Sequence, residues 1–235
     1  MSRAARIALI VSAALASVGF LALAAWQIQR LGWKLDLIER VEARLKADPV
    51  EPPPVAAPVS KDDEYRRLQL RGSFDTREVL VQATTALGGG HWVIAPLCLP
   101  NGDTVLVNRG FVPPEQRAPG QHAAPAGPVT FTGLLRLTET GGGPLRANVP
   151  AEGRWYSRDV QGIAAQLALS GPVAPYFVDE AADASQPQRW PRPGLTVVQF
   201  TNNHAVYAAT WLALAAMAAA AAGYLVREER RRVPA

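Results

Sequence analysis

Two long apolar runs without a charge, one near each end, constrain this chain more than any other feature. Ile7 to Trp26 is a run of 20 residues, IALIVSAALASVGFLALAAW, and Ala205 to Val226 is a run of 22, AVYAATWLALAAMAAAAAGYLV. At about 1.5 Å per residue, a helix of either length crosses a hydrocarbon layer about 30 Å thick. Inside lipid the backbone has no water to bond, so each run is expected as a transmembrane helix. One further reading of each run stays open. Arg3 and Arg6 ahead of Ala22-Leu23-Ala24 also fit a secretory signal peptide, although such an apolar core is usually only about 7–15 residues. The alanine-rich second run also fits a buried soluble helix. Charges and the 20 prolines concentrate between the runs, so the mean hydropathy of +0.02 averages two apolar ends with a polar middle. That middle has the length of one ordinary domain and can bury a core without disulfides.

Orientation follows from the short flanks. Arg3 and Arg6 precede the first run, and Arg227, Arg230, Arg231 and Arg232 follow the second. The positive-inside rule then puts both termini in the cytoplasm and the middle outside it. Arg30, Lys34 and Arg40 crowd the outer end of the first run. However, the 177 residues from Gln27 to Asn203 form a loop too long for its charges to govern insertion. The expected division is a cytoplasmic N-terminus 1–6, helix 7–26, a helical extension 27–47, a proline-rich linker 48–63, a β-rich domain 64–203, helix 205–226 and a basic tail 227–235. The net charge of +4 sits mostly on the membrane flanks. No basic stripe interleaved with aromatics occurs in the domain, so a lipid bilayer is an expected partner and nucleic acid is not.

Helical periodicity runs on past Trp26 through Leu31, Leu35, Ile38, Val41 and Leu45, until Pro49 and Pro52-Pro53-Pro54 forbid it. The first helix should therefore project beyond the membrane, with Trp26 and Trp33 at the interface and Arg30 and Lys34 reaching headgroups. After the linker, short apolar or alternating segments read as strands: Arg67–Phe74, Glu78–Ala83, His91–Leu99, Thr104–Asn108, Val129–Leu137, Tyr176–Val178 and Leu195–Phe200. Asn101-Gly102-Asp103 reads as a hairpin turn. One helix is expected over Asp159–Leu169, with Asp159 as N-cap and Gly171-Pro172 as the stop. Strands without regular intervening helices argue for a barrel or sandwich. The expected class is an α+β membrane protein, in which two transmembrane helices flank one mostly antiparallel β-barrel or sandwich-like domain.

Catalytic patterns are missing. The lone Cys98 allows no disulfide framework and no CxxC redox or CxxxC copper site, and reads as a buried inert thiol. Gly88-Gly89-Gly90 and Gly141-Gly142-Gly143 lack the lysine and helix of a phosphate loop and read as flexible turns, and neither GxSxG nor HExxH occurs. Of three histidines, His122 sits in a Gly/Ala/Pro loop and reads as solvated, and His91 reads as a satisfied strand-edge residue. His204 differs, because an ionisable group at the mouth of a transmembrane helix is costly unless it has a role or reaches water. Tyr207 and Trp211, at i+3 and i+7, are expected on its face. An imidazole beside two aromatic rings suits a porphyrin with iron on a neutral nitrogen, while an interfacial anchor of His and aromatic-belt residues explains the same pattern. Ala215, Ala219 and Gly223 read as an opposite, small-residue face open to another helix. In Asn108-Arg109-Gly110, the arginine reads either as a strand-end cation for a haem propionate or partner carboxylate, or as part of a turn, solvated or paired within the domain.

Several segments resemble the Surf1/Shy1 family of cytochrome c oxidase assembly factors. They are Trp26-Gln27-Ile28-Gln29-Arg30 with Trp33-Lys34 following; Tyr65 ahead of Leu70-Arg71-Gly72-Ser73-Phe74; Val107-Asn108-Arg109-Gly110-Phe111-Val112-Pro113; Trp155-Tyr156-Ser157-Arg158-Asp159; and Asn202-Asn203-His204-Ala205-Val206-Tyr207, continuing to Trp211. Phe111 stands where tryptophan is common in that family, and Ala205 where leucine is. The resemblance implies a non-enzymatic factor that binds haem a transiently, with His204 as axial ligand and Tyr207 and Trp211 beside it. The haem would come from haem a synthase and go into the oxidase catalytic subunit. Trp26, Gln27, Arg30, Lys34, Asn108, Arg109, Gly110 and Asn203 are further partner or structural candidates. With no Ser/Arg-rich transit segment before the first helix, a bacterial cytoplasmic (inner) membrane is the expected home, with the main domain periplasmic. Two alternatives remain open: a haem-independent scaffold that stabilises oxidase subunits, and a membrane-tethered enzyme with its polar cluster in a domain cleft.

Overall fold

The computed structural model describes residues 2–118, 120–143, 146–196, 198 and 200–232. It divides into two compact units, one of residues 1–40 with 199–235 and the other of residues 41–198.

The first unit is helical. Helix α1 (Arg3–Lys46) is continuous through the expected extension, and α3 (His204–Arg232) opens on His204. Both are long and apolar enough to cross a membrane. Covered positions on each recur at alternating steps of three and four, through Ser17, Phe20, Ala24 and Gln27 on α1 and His204, Ala208, Trp211 and Ala215 on α3. That spacing is the seam of two helices packed side by side. They run antiparallel, since Gln27 meets His204, Phe20 stacks on Trp211, the Ser17 hydroxyl donates to the Ala215 carbonyl at 3.0 Å, and Arg6 pairs with Glu229 at 2.7 Å. Ala24, Ala208 and Ala215 are the most tightly covered, as expected where small side chains let backbones approach. Ala215 is thus on the face of His204 and not opposite it. Eleven residues at about 100° each return to within about 20° of the start.

The second unit is built on β1 (Arg67–Phe74), β2 (Val79–Thr85), β3 (Gly88–Cys98), β4 (Thr104–Val112), β5 (Pro128–Leu137), the two-residue strands β6 (Gly142–Gly143) and β7 (Arg146–Ala147), helix α2 (Val160–Gln166) and β8 (Val173–Glu180). The main sheet runs β1-β5-β8-β4-β3-β2, and β1 also pairs with β3 through Ser73–Cys98 and Phe74–Leu97. Five strands therefore close into a barrel, with β2 carried as a hairpin on β3. All ladders of this sheet are antiparallel except β4 with β8. Leu68, Leu70, Leu97, Val105, Val107, Leu135 and Val178 fill the interior. Leu106, Ile94 and Phe177 point the other way, beneath Trp155 and the α2 residues Val160 and Ile163. Strand β4 is consequently buried on both faces along its whole length, its polar Asn108 and Arg109 included. Asp159 caps α2 as expected, its Oδ1 accepting from the Gly162 N–H at 3.2 Å, but the helix stops at Gln166 and Ala168 turns to φ +47.

Several expectations are corrected. Strand β4 continues to Val112 and does not end at Asn108, because Arg109 and Gly110 together face Val93 as a β-bulge between the pairs Ile94–Asn108 and Trp92–Phe111. Strand β8 runs to Glu180, its two terminal carboxylates being paired and not a solvated end. Leu195, Thr196, Val198 and Phe200 are in no strand; Val197 and Gln199 lie outside the described residues. Gly88–Gly90 open β3, and the turn is Ala86-Leu87; Gly142 and Gly143 form β6. His91 is consequently on an inner strand, paired on both sides. Cys98 is exposed, since it alternates along β3 with the fully buried Leu97.

The proline-rich stretch 48–63 has no regular helix or ladder of its own, yet it is fastened to the barrel. Val50 bridges to β1, the Tyr176 hydroxyl donates to the Pro53 carbonyl at 3.0 Å, and Val55 and Val59 pack on the interior cluster.

Candidate functional site

At the head of α3, the His204 N–H donates to Asn202 Oδ1 at 3.4 Å, and the Asn203 carbonyl accepts the Tyr207 N–H at 3.1 Å. Asn202 thus supplies an acceptor for one N–H group that a helix start leaves without a partner, and Asn203 accepts the first helical bond. The His204 ring is half-buried, and its Nδ1 lies 2.7 Å from Oε1 of Gln27. An amide oxygen facing Nδ1 favours the tautomer with its proton on that nitrogen, which leaves Nε2 as the free ring nitrogen. Gln27 is 8% exposed, so the pair is shielded on the α1 side. A histidine oriented by a hydrogen bond from its other ring nitrogen is the usual arrangement of a metal-ligating imidazole. The donor set fits one axial bond to a haem iron.

The three expected contact residues do not form one open face. Trp211 turns into the seam and stacks on Phe20, with ring centroids 5.7 Å apart and planes at 22°. Tyr207 lies outside the seam and is 52% exposed. Exposed aromatic surface on α1 comes from Trp26 and Trp33, with the Arg30 guanidinium 5.6 Å and 5.2 Å from their ring centroids. Lys34 Nζ lies 4.8 Å from the Phe200 ring, and the Asn203 side chain is exposed. Of the further candidates on this unit, Gln27 is hydrogen-bonded to the His204 ring. A lone amide within an apolar seam was the available signal, but its partner lies 177 positions away.

The remaining candidates belong to the barrel unit. Asn108 Nδ2 donates to Asp179 Oδ1 at 2.8 Å, while its Oδ1 accepts the Gly110 N–H at 3.1 Å. Asp179, 2% exposed, also accepts from Arg136 Nη1 at 3.0 Å, Thr196 Oγ1 at 2.8 Å and Arg158 Nη1 at 3.4 Å. Glu139 closes the network on Arg158; burial works to raise its carboxyl, and the Arg158 guanidinium outweighs that and holds it below its ordinary value. This network was missed from sequence because its members are spread over β4, β5, β8, the approach to α2 and the segment after β8. Arg109 is fully buried and is not at a strand end. It donates to the carbonyls of His122 at 2.7 Å and Ala123 at 3.1 Å, and its guanidinium lies 5.3 Å from the Phe74 ring. That clamp holds the His122-Ala123 backbone against the barrel unit. His122 is in consequence 2% exposed and not solvated, with Nδ1 3.0 Å from Glu78 Oε1.

Comparison with known proteins finds relatives over most of the chain. Residues 14–216 match the model of the SURF1 family, a span reaching from inside α1 past His204 and Trp211. Surfeit locus protein 1 of Homo sapiens is 36% identical over 217 residues, covering 83% of this chain and 69% of the relative. The protein of the same name from Rattus norvegicus is 34% identical over 235 residues, covering 90% and 72%. A SURF1-like protein of Monosiga brevicollis is 31% identical over 221 residues, covering 88% and 83%. With part of each apolar helix, the barrel between them and the NNH segment falling in the matched span, this membrane protein belongs to the SURF1 family.

Proposed function

We propose that this chain is a haem a carrier for oxidase assembly: it takes haem a from its synthase, holds it through one axial bond from His204 Nε2, and yields it to the oxidase catalytic subunit. Membership of the SURF1 family implies the coarser role, an assembly factor for cytochrome c oxidase. The finer reading rests on the His204–Gln27 pair at 2.7 Å, which presents an oriented imidazole at the head of the helix pair. A carrier needs a replaceable bond and a partly open cargo surface, so that the acceptor can compete. The half-buried His204 and the exposed Tyr207, Trp26 and Trp33 meet that need. We read the chain as non-enzymatic, since its assigned part is to bind and release the ring. We place it in a bacterial cytoplasmic membrane with both termini inside and the barrel outside, on the arginines flanking both helices. The haem-independent scaffold has less support, because Ala215 of the stripe meant to grip a partner helix is already used within the chain.

The test is the absorption spectrum of the full chain purified in detergent from cells making haem a. Wild type is expected to carry a low-spin or five-coordinate haem a band, and His204→Ala to lose it. A colourless wild type in the presence of a haem a pool would sink the proposal. Gln27→Leu removes the acceptor for Nδ1 while leaving the ligand. Haem affinity by titration should then fall about 10–100-fold, the usual cost of losing the group that orients a ligating histidine. Unchanged affinity would mean that Gln27 does not position the ring.

A further inference from the structure

We propose that a cavity in the barrel unit, beside Arg109, binds a carboxylate carried on a small apolar or aromatic body. The reading is independent of haem binding at His204. The cavity holds about 370 Å³, within the range of small-ligand sites. One wall is aromatic: Phe74 and Phe131 stack with centroids 5.9 Å apart and planes at 14°, and Trp190 and Val129 add apolar surface. The polar anchor is the guanidinium of Arg109, 2% exposed.

No ion pair holds Arg109 among the described residues, and Glu180 and Glu78 act on its charge only from beyond ion-pair distance. Its two Nη atoms are given to main-chain carbonyls, its buried Nε–H has no acceptor, and no carboxylate lies within ion-pair distance of it among the described residues. Two partly buried arginines of the same unit are treated differently. Arg136 is held by Asp179 and Glu64, and Arg158 by Asp179 and Glu139. The carboxylates that do line the cavity are already committed. Glu180 is paired with Arg189, and Asp183 accepts from the Ser185 N–H at 2.9 Å and its hydroxyl at 2.6 Å. Burial pushes the guanidinium of Arg109 below its ordinary range, the mark of a cation stripped of water. An anion placed there recovers that cost, and a carboxylate is the shape a guanidinium bonds best. The space admits one ring with a short acidic chain, which either a small organic acid or the C-terminal residue of a polypeptide supplies.

Thermal unfolding of the full chain in detergent, followed by tryptophan fluorescence, tests this with 3-phenylpropionate and its uncharged amide. At about ten times its Kd the acid should raise Tm by about 3–6 °C, with little shift from the amide. Arg109→Gln should abolish the shift. Should that variant fail to fold, Thr130→Trp, which fills the cavity from an exposed lining position, should abolish it while unfolding near the wild-type temperature. Equal shifts from acid and amide, no shift from either, or a shift that survives Thr130→Trp would each overturn the proposal. A pentapeptide ending in phenylalanine, as free acid and as amide, separates the sources. A larger shift from the free-acid peptide assigns a polypeptide terminus, and a larger one from phenylpropionate assigns a small acid.

Discussion

Asp179→Ala is expected to destabilise the barrel unit by about 3–5 kcal/mol, the cost of breaking a buried ion pair from one side. The carboxylate is 3% exposed and the Arg136 and Arg158 side chains are each 15% exposed, so solvent screens little of the interaction. Removing it strands two guanidinium groups, the amide of Asn108 and the hydroxyl of Thr196 without their common acceptor. Arg136 keeps Glu64 at 3.3 Å and Arg158 keeps Glu139, so the loss should stay short of complete collapse. Urea denaturation of the purified chain, read by barrel tryptophan fluorescence, measures it. A change below about 1 kcal/mol would show that the network relaxes onto the remaining carboxylates.

Gly110→Ala should be nearly as damaging, by two separable effects. Gly110 has φ +127, which a residue with a Cβ adopts only under strain, and an added Cβ would lie 2.2 Å from the carbonyl oxygen of Arg192. That carbonyl is fixed, since Phe111 and Arg192 exchange backbone hydrogen bonds at 2.8 and 2.9 Å. Backbone strain and overpacking together should cost about 2–5 kcal/mol. Gly102 is the control: its φ is +87, but nothing lies within 4 Å of an added Cβ. Gly102→Ala should lose only the strain, about 1 kcal/mol. Equal losses at the two positions would show that the close approach to Arg192 is not what holds Gly110.

The bulge at Arg109-Gly110 also shows where sequence reading runs out. Arginine followed by glycine resembles a turn, and only the ladder register, with two residues facing Val93, makes it the middle of a strand. The same holds at Asp179-Glu180, where two carboxylates resemble a polar strand end until Arg136, Arg158 and Arg189 are brought to them. His122 lies in a loop as expected but resembled a solvated residue for the same reason, since nothing beside it in sequence announces the clamp from Arg109. In the candidate site His204 was legible, because a histidine at the mouth of an apolar helix stands out locally. Its orientation by Gln27 was not.

What the sequence alone determined is whatever rests on local chemistry. Two helices were legible in uncharged apolar runs, the reach of α1 beyond Trp26 in a continuing three-to-four spacing, most strands in alternation, the α2 cap in Asp159 and the hairpin turn in Asn101-Gly102-Asp103. What only the tertiary structure decided is pairing at long range: closure of the barrel through β1 and β3, the seam that turns Trp211 onto Phe20, and which buried charge meets which partner. The physical reason is that a hydrophobic period repeats every few residues and leaves its mark in any short window. A hydrogen bond between positions 27 and 204, or an ion pair between 136 and 179, has no such period and exists only once the chain has brought the two groups together.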